Sequence, residues 1–264
     1  MTRLLAMHLV LNPDSPSFAT MHDLSLNFEF GRPRAWYIEG PRREAVALGD
    51  WVGSVEQGGS VNFFNVQFNP HAHGTHTESV GHLTLETVHA INLGIPSVMR
   101  ARVLRIPTEA LLTLEALKQS SAALLDYEAL VLSTQAGDLS SRDWRQTNPP
   151  AIEPEALSWL AAKGVRHLLV DLPSVDPEED GGALAAHRAF WGLPAQSTNW
   201  SEARYPQASI TELIQVPQNC ADGCYELRLT LAPMQGDAVP SRPILFPIEG
   251  LESLTFVGYV GENR

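Results

Sequence analysis

Short apolar segments with the composition of buried strands alternate with segments of helical periodicity through the middle of the chain. The strand segments are residues 101–106, 129–133 and 167–171. The helical segments, which combine helix-forming residues with apolar spacing, are residues 107–125, 154–163 and 182–191. Strands that alternate with helices in this way predict an α/β fold.

Both ends of the chain are richer in strand-forming segments than its middle. Residues 61–68 alternate β-branched and aromatic side chains with Asn and Gln, and residues 209–216 and 225–231 form two strand segments joined by a turn at 219–223. Hydrophobic residues make up 44% of the 264, which is enough for a substantial core. We therefore predict one α/β domain over residues 1–264, with a mixed sheet and peripheral helices.

The charge balance excludes several classes of partner. Lys and Arg number 18 and Asp and Glu 30, so the formal net charge is −12. Without a block of basic residues we expect neither nucleic acid nor an anionic membrane surface as a partner. No apolar run reaches the roughly 18 residues of a membrane span, and residues 1–11 carry no cleavage pattern. We therefore predict a cytoplasmic protein, and we predict that the acidic run at residues 176–180 is a solvated loop.

Histidine is concentrated in one short window. Five of the nine histidines fall within nineteen residues, namely His71, His73, His76, His82 and His89. Imidazoles packed this closely, together with the carboxylate of Glu78, are ligands that Zn²⁺, Mn²⁺ or Fe²⁺ require. Gly74 permits a tight turn, and His76 and Glu78 share one face if their segment is extended. The window predicts a divalent metal site, with a structural role for His89.

The centre of this window resembles a family signature. Residues 74–78 (Gly-Thr-His-Thr-Glu), followed by His82, are similar to the motif His-x-Gly-Thr/Ala-His-x-Asp-x-Pro-x-His. That motif belongs to the metal-dependent hydrolases called the cyclase family, which includes bacterial kynurenine formamidases and isatin hydrolases. Two positions differ, because Glu78 replaces the family's Asp and Val80 replaces its Pro.

A third departure concerns one metal ligand. Ala72 stands where the family's first His aligns, so that ligand has to come from His71 or His73. We favour His71, because a residue directly preceding Gly74 has less freedom to redirect its side chain. Both histidines remain candidates, and we expect the unused one to form hydrogen bonds around the ligands.

The resemblance continues along the chain in the family's order. The matching segments are residues 170–176, 210–214, 223–234 and 240–245. His187 lies where the family has another metal-site histidine, and Glu212 lies where it has a ligating glutamate. The gap between these two is about twice the family's, which we attribute to an insertion at residues 192–207. We expect that insertion at the surface or at a subunit interface, near the mouth of the site.

The resemblance implies a fold, a site and an activity. The fold is swivelling β/β/α-like, with a partly barrel-like mixed sheet. The metal ligands are His71 or His73, His76, Glu78, His187 and Glu212, and the catalytic residues are His82, as general base or proton shuttle, and Glu212. The implied cofactor is Zn or Mn, and the implied reaction is hydrolysis of an amide-type C–N bond in a small molecule. The family also implies a homo-oligomer, a dimer or a tetramer.

Glu212 is a candidate on separate grounds. It lies in an apolar strand segment, where a carboxylate without a cationic partner would be costly. The strand period of two predicts that its side chain points inward, on the same face as Ile210 and Ile214.

Two alternatives use the same residues. The replacement at Ala72 is compatible with a non-catalytic relative that binds a metal or ligand. His71, His73 and Glu78 also have the ligand spacing of a first cupin oxygenase motif, but Leu85 stands where that motif has a glycine and no second motif follows. The oxygenase is therefore the weaker alternative.

Overall fold

The computed structural model describes residues 21–32, 34–120, 127–135 and 137–248. The strands in these ranges are β1 (His22–Asp23), β2 (Arg42–Ala45), β3 (Ala47–Leu48), β4 (Trp51–Val52), β5 (Phe64–Gln67), β6 (His76–Glu78), β7 (Met99–Arg105), β8 (Leu111–Leu112), β9 (Ala129–Ser133), β10 (Ala151–Ile152), β11 (His167–Val170), β12 (Ser209–Glu212), β13 (Gly223–Leu231) and β14 (Ala238–Pro247). The α-helices are α1 (Pro70–His73), α2 (Leu114–Ser120), α3 (Pro154–Ala162) and α4 (Ala185–Trp191). Short 3₁₀ helices cover Val80–Leu83, Ala90–Asn92 and Trp200–Glu202.

The main sheet closes on itself. Its order is β1-β14-β13-β7-β9-β11-β12-β6, and β6 pairs again with β14, so seven of these strands form a barrel-like ring. The strands from β7 through β9 and β11 to β12 are parallel, and the remaining neighbours are antiparallel. The expected mixed, partly barrel-like sheet with peripheral helices is confirmed.

Three neighbouring parallel strands of the barrel, β7, β9 and β11, contribute to two apolar layers. Along β11, Leu169 faces the barrel interior, where it packs in the cluster that contains Val131 and Leu227. Leu168 faces outward into a second cluster, formed with residues such as Phe190 of α4. This split follows from the strand period of two, which sends successive side chains to opposite faces.

Several predicted elements agree with the structure and others are shorter. The strand at 129–133 and the helix beginning at Pro154 are confirmed, and the predicted strand at 61–68 is reduced to β5. The predicted helix at 107–125 is α2, which is much shorter, and residues 121–126 lie outside the described residues. Residues 1–11 also lie outside them.

The predicted strand at 209–216 ends early. Leu213 has a positive φ of 54°, a left-handed conformation that interrupts an extended strand. Ile210 therefore packs in the outer layer, whereas Ile214 packs in the barrel interior. The expectation that Glu212 shares its face with Ile214 is wrong, because the chain turns between them.

The two last predicted strands do not form a hairpin with each other. Strand β12 pairs with β11 and β6, whereas β13 pairs with β7 and β14. Three small two-stranded sheets in the described residues, β8–β10, β2–β5 and β3–β4, lie outside the ring. Of the helices in the described ranges, none has the length and apolar character needed to span a bilayer.

Candidate metal centre

Strand β6 presents two candidate ligands on one face. His76 and Glu78 are two residues apart in an extended strand, so their side chains point the same way. Strand β12 pairs antiparallel with β6 and aligns Glu212 opposite His76. Glu212 Oε2 consequently lies 3.5 Å from His76 Nε2. All three side chains are buried.

Helix α4 adds His187 to the same point. His187 Nε2 lies 2.9 Å from Glu78 Oε1 and 3.5 Å from Glu212 Oε1. The helix is anchored at its start by Asp176, whose carboxylate accepts hydrogen bonds from the backbone N–H groups of Ala186 and His187. Asp176 also accepts a hydrogen bond from His187 Nδ1 at 2.5 Å. The prediction of a solvated loop is wrong for Asp176, which is 2% exposed because it caps α4 and orients this imidazole.

Helix α1 brings His71, and not His73, to the cluster. The helix begins after Asn69, whose side chain accepts a hydrogen bond from the His71 N–H. His71 Nδ1 lies 3.1 Å from Glu78 Oε2. The ring of His73 points elsewhere, because its Nδ1 accepts a hydrogen bond from the Asn69 N–H and its Nε2 donates to the Glu39 carbonyl, both at 2.9 Å.

Four buried polar atoms at this point have no hydrogen-bond partner among the described residues. They are His76 Nε2, His187 Nε2, Glu78 Oε1 and Glu78 Oε2. The Nδ1 atoms of both rings donate, to the Gly74 carbonyl and to Asp176, so in the neutral form of each ring Nε2 carries a lone pair. Leaving such acceptors unsatisfied costs about 1–3 kcal/mol each. The atoms therefore need a cation.

The donor set fits a divalent metal ion. Atoms bound to one ion at about 2.0–2.2 Å lie roughly 3–3.5 Å from one another. The contacts that join His71, His76, Glu78, His187 and Glu212 span 2.9–3.5 Å. Two carboxylates would also neutralise a doubly charged ion, which suits a buried site.

The electrostatics of the cluster point the same way. Burial alone would raise the pKa of Glu78, but the nearby His187 and His82 outweigh it and hold that pKa well below its usual range. Burial would lower the pKa of His187, but Glu78 and Asp176 outweigh it and raise that pKa well above its usual value. The carboxylates thus demand positive charge at this point, and a divalent ion supplies it without a proton.

His82 and Asp237 form the more exposed rim of the cluster. The 3₁₀ helix Val80–Leu83 places His82 Nδ1 3.4 Å from Asp237 Oδ2, and the centroid of its ring is 4.2 Å from that of His71. The side chains of His71, His82 and Asp237 are 21%, 27% and 34% exposed, whereas Glu78 and His76 are fully buried. A substrate would therefore approach from the side of His82.

A model of the Cyclase family matches residues 10–177, which is more than half of the chain. The chain belongs to the Cyclase family. The kynurenine formamidase of Bacillus cytotoxicus is 32% identical to it over 199 residues, covering 73% of this chain and 84% of that protein. The kynurenine formamidase of a Bacillus cereus strain is 30% identical over 201 residues, covering 74% and 85%.

Solved structures share the fold of this Cyclase chain. Isatin hydrolase A from Labrenzia aggregata, bound to benzyl benzoate, has a TM-score of 0.59 at 15% identity and covers 86% of this chain and 93% of its own. An isatin hydrolase bound to the product analogue thioisatinate has a TM-score of 0.61 at 12% identity, with coverages of 86% and 92%. At these identities the likeness establishes the architecture.

Residues 192–207, which the sequence predicts to be an insertion, pack beside the rim of the site. The Thr198 carbonyl accepts a hydrogen bond from the Leu85 N–H, and Trp200 Nε1 donates to Glu86. These contacts fasten the insertion to the segment that directly follows His82. The 3₁₀ helix Trp200–Glu202 lies within this segment.

Sequence reasoning missed two carboxylates that contact the candidate ligands. Asp176 lies inside a stretch that resembles the family's, so its position was a usable signal. No sequence signal identified Asp237, because it lies in a turn before β14, outside every matched segment. Trp36 is a further contact, since its Nε1 donates a 3.1 Å hydrogen bond to the His71 carbonyl.

Proposed function

We propose that this Cyclase-family chain is a metal-dependent amidohydrolase that cleaves an amide-type C–N bond in a formamide, lactam or imide. The observation that carries the proposal is the meeting of four buried, unsatisfied donor atoms from β6 and α4. Their partners on β12 and α1 complete a set with metal-ligand spacing. The relatives that bear the name kynurenine formamidase support the reaction class.

In this proposal His71, His76, Glu78, His187 and Glu212 hold one Zn or Mn ion, and His73 does not. When bound, such an ion lowers the pKa of water toward neutrality and polarises the amide carbonyl. Glu212 also acts in catalysis, because its carboxylate keeps its negative charge in a buried pocket that excludes water. Its Oε1 accepts a hydrogen bond from the Val175 N–H at 3.0 Å, which fixes the direction of its other oxygen.

His82 moves the proton. It stands at the exposed rim with its Nδ1 toward Asp237, so the other ring nitrogen is free to face a water or substrate. A neutral imidazole there accepts a proton from the attacking water and returns it to the leaving amine nitrogen.

The remaining properties proposed for the chain are one domain over residues 1–264, a cytoplasmic location and a homo-oligomer, either a dimer or a tetramer. The substrate is a small molecule, and the formal net charge of −12 argues against nucleic acid.

The test combines metal analysis with a substrate panel. Purified protein is assayed against formamides, lactams and imides, with and without added Zn²⁺ or Mn²⁺, and its metal content is measured. We expect metal-dependent hydrolysis of at least one class, and we expect Glu212→Gln to lose metal retention or turnover while staying folded. The matched control is Glu153→Gln, a glutamate that caps α2 through the Leu114 N–H; it should keep both. Metal binding without hydrolysis of any class would refute the enzyme assignment.

A further inference from the structure

Asp237 lies at the seam where the barrel closes. Its neighbour Ala238 pairs with Glu78 in the β14–β6 register. The Asp237 carbonyl accepts a 2.9 Å hydrogen bond from the Ser79 N–H, and the Gly236 carbonyl accepts one from the Ala90 N–H at 2.8 Å. Sheet closure therefore fixes the backbone from which this carboxylate reaches the candidate metal centre.

One oxygen of this carboxylate contacts two imidazoles. Asp237 Oδ2 lies 2.9 Å from His71 Nε2 and 3.4 Å from His82 Nδ1. An ionised carboxylate accepts hydrogen bonds and donates none, so each of these nitrogens carries its hydrogen. An imidazole that binds a metal ion or accepts a proton is neutral and has one N–H. Its lone pair then lies on the other nitrogen, which is Nδ1 in His71 and Nε2 in His82.

The two lone pairs lie on the nitrogens that the proposed mechanism uses. His71 Nδ1 lies 3.1 Å from Glu78 Oε2, inside the donor set. The Nε2 of His82 is left as the acceptor of a proton. The opposite tautomer of either ring would turn an N–H toward the ion or the water. It would also leave Asp237 facing a lone pair.

We propose that Asp237 is a positioning residue that selects the tautomers of His71 and His82 together. The inference rests on the proposed function, in which His71 is a ligand and His82 a base. It has particular weight in this chain because Ala72 occupies the aligned ligand position, so the ligand is one residue earlier in α1 and enters through Nδ1. A histidine that binds through one nitrogen is held in place by the partner of the other, and losing that partner typically lowers metal affinity about 10- to 100-fold.

The experiment compares three variants. Asp237→Ala removes the acceptor, Asp237→Asn keeps an amide oxygen that accepts more weakly, and Glu226→Gln removes a charge from a surface pair with Arg228 on β13. Zn²⁺ affinity is measured by competition with a chromophoric chelator. Tautomers are read from imidazole ¹⁵N shifts of histidine-labelled protein.

We expect Zn²⁺ affinity to fall about 10- to 100-fold in Asp237→Ala and by an intermediate factor in Asp237→Asn. The ¹⁵N shifts of His71 and His82 should move toward a mixture of tautomers in the same order. Glu226→Gln should match wild type in both measurements.

Wild-type affinity and tautomers in Asp237→Ala would overturn the proposal. If that variant does not fold, the same result in Asp237→Asn overturns it. Both measurements are made without substrate. A wild-type chain that binds Zn²⁺ and hydrolyses nothing would therefore refute the proposed function and still decide the role of Asp237.

Discussion

Removing the bound ion is expected to lower the thermal stability of this protein substantially. In the proposed site the ion would satisfy His76 Nε2, His187 Nε2 and both oxygens of Glu78, which have no hydrogen-bond partner among the described residues. At about 1 kcal/mol or more for each unsatisfied buried atom, the loss is at least about 4 kcal/mol. An ion present at 1,000 times its Kd contributes a similar amount, also about 4 kcal/mol. For a chain of this size each kcal/mol corresponds to about 2–4 °C, so Tm should fall by about 8–16 °C.

The measurement is differential scanning calorimetry of protein before and after dialysis against a chelator, with metal content followed by elemental analysis. Re-addition of Zn²⁺ or Mn²⁺ should restore the original Tm. His73→Ala serves as the matched variant, because the His73 ring is hydrogen-bonded away from the cluster and the chelation shift should be unchanged. A Tm that moves by less than about 2 °C when the ion is fully removed would refute the argument that the ion satisfies these buried atoms.

Three further predictions follow from individual histidines. Replacing His71 with Ala should reduce metal content strongly while His73→Ala leaves it unchanged; the reverse result, measured by elemental analysis, would transfer the ligand to His73. His82→Ala should lower kcat by about 10²- to 10⁴-fold at normal metal content, and loss of the ion in that variant would make His82 a ligand instead. Burial, with a smaller contribution from Arg166, lowers the pKa of His167 to about 4 from 6.5, so between these pH values the unfolded chain binds a proton that the folded chain does not. The contribution of neutral His167 to the free energy of unfolding is complete above pH 6.5 and is lost as the pH falls toward 4, by up to about 3 kcal/mol. Denaturant titrations at several pH values should show a smaller loss of stability for His167→Gln than for the wild type. Equal losses would contradict the assignment.

Local sequence pattern was sufficient to predict the elements whose composition, periodicity and end signals all indicate the same secondary structure. Strand β9 is a continuous apolar run buried on both faces, and α3 begins at a proline, so both are recognisable without knowledge of their neighbours. The pairing of His76 with Glu78 on one face is also local, because an extended backbone repeats every two residues. The expectation that Glu212 would need a cationic partner also rested on local sequence, since a carboxylate in an apolar strand is costly unless it is paired.

The choice between His71 and His73 was not decided by sequence alone. The two residues lie in one four-residue helix, and their difference comes from what each ring meets in space: Glu78 for His71 and the Glu39 carbonyl for His73. The early end of β12 at Leu213 likewise follows from a backbone turn that apolar patterning does not reveal.

Asp237 illustrates the part that only the tertiary structure decided. It is 166 residues from His71 in sequence, yet the two side chains share a 2.9 Å hydrogen bond. Periodicity reports which face of a strand is buried, but it carries no information about which distant strand will lie beside it. That partner is selected by closure of the whole ring, in which β14 pairs with both β13 and β6, and the contacts around the candidate ion exist only once the ring is closed.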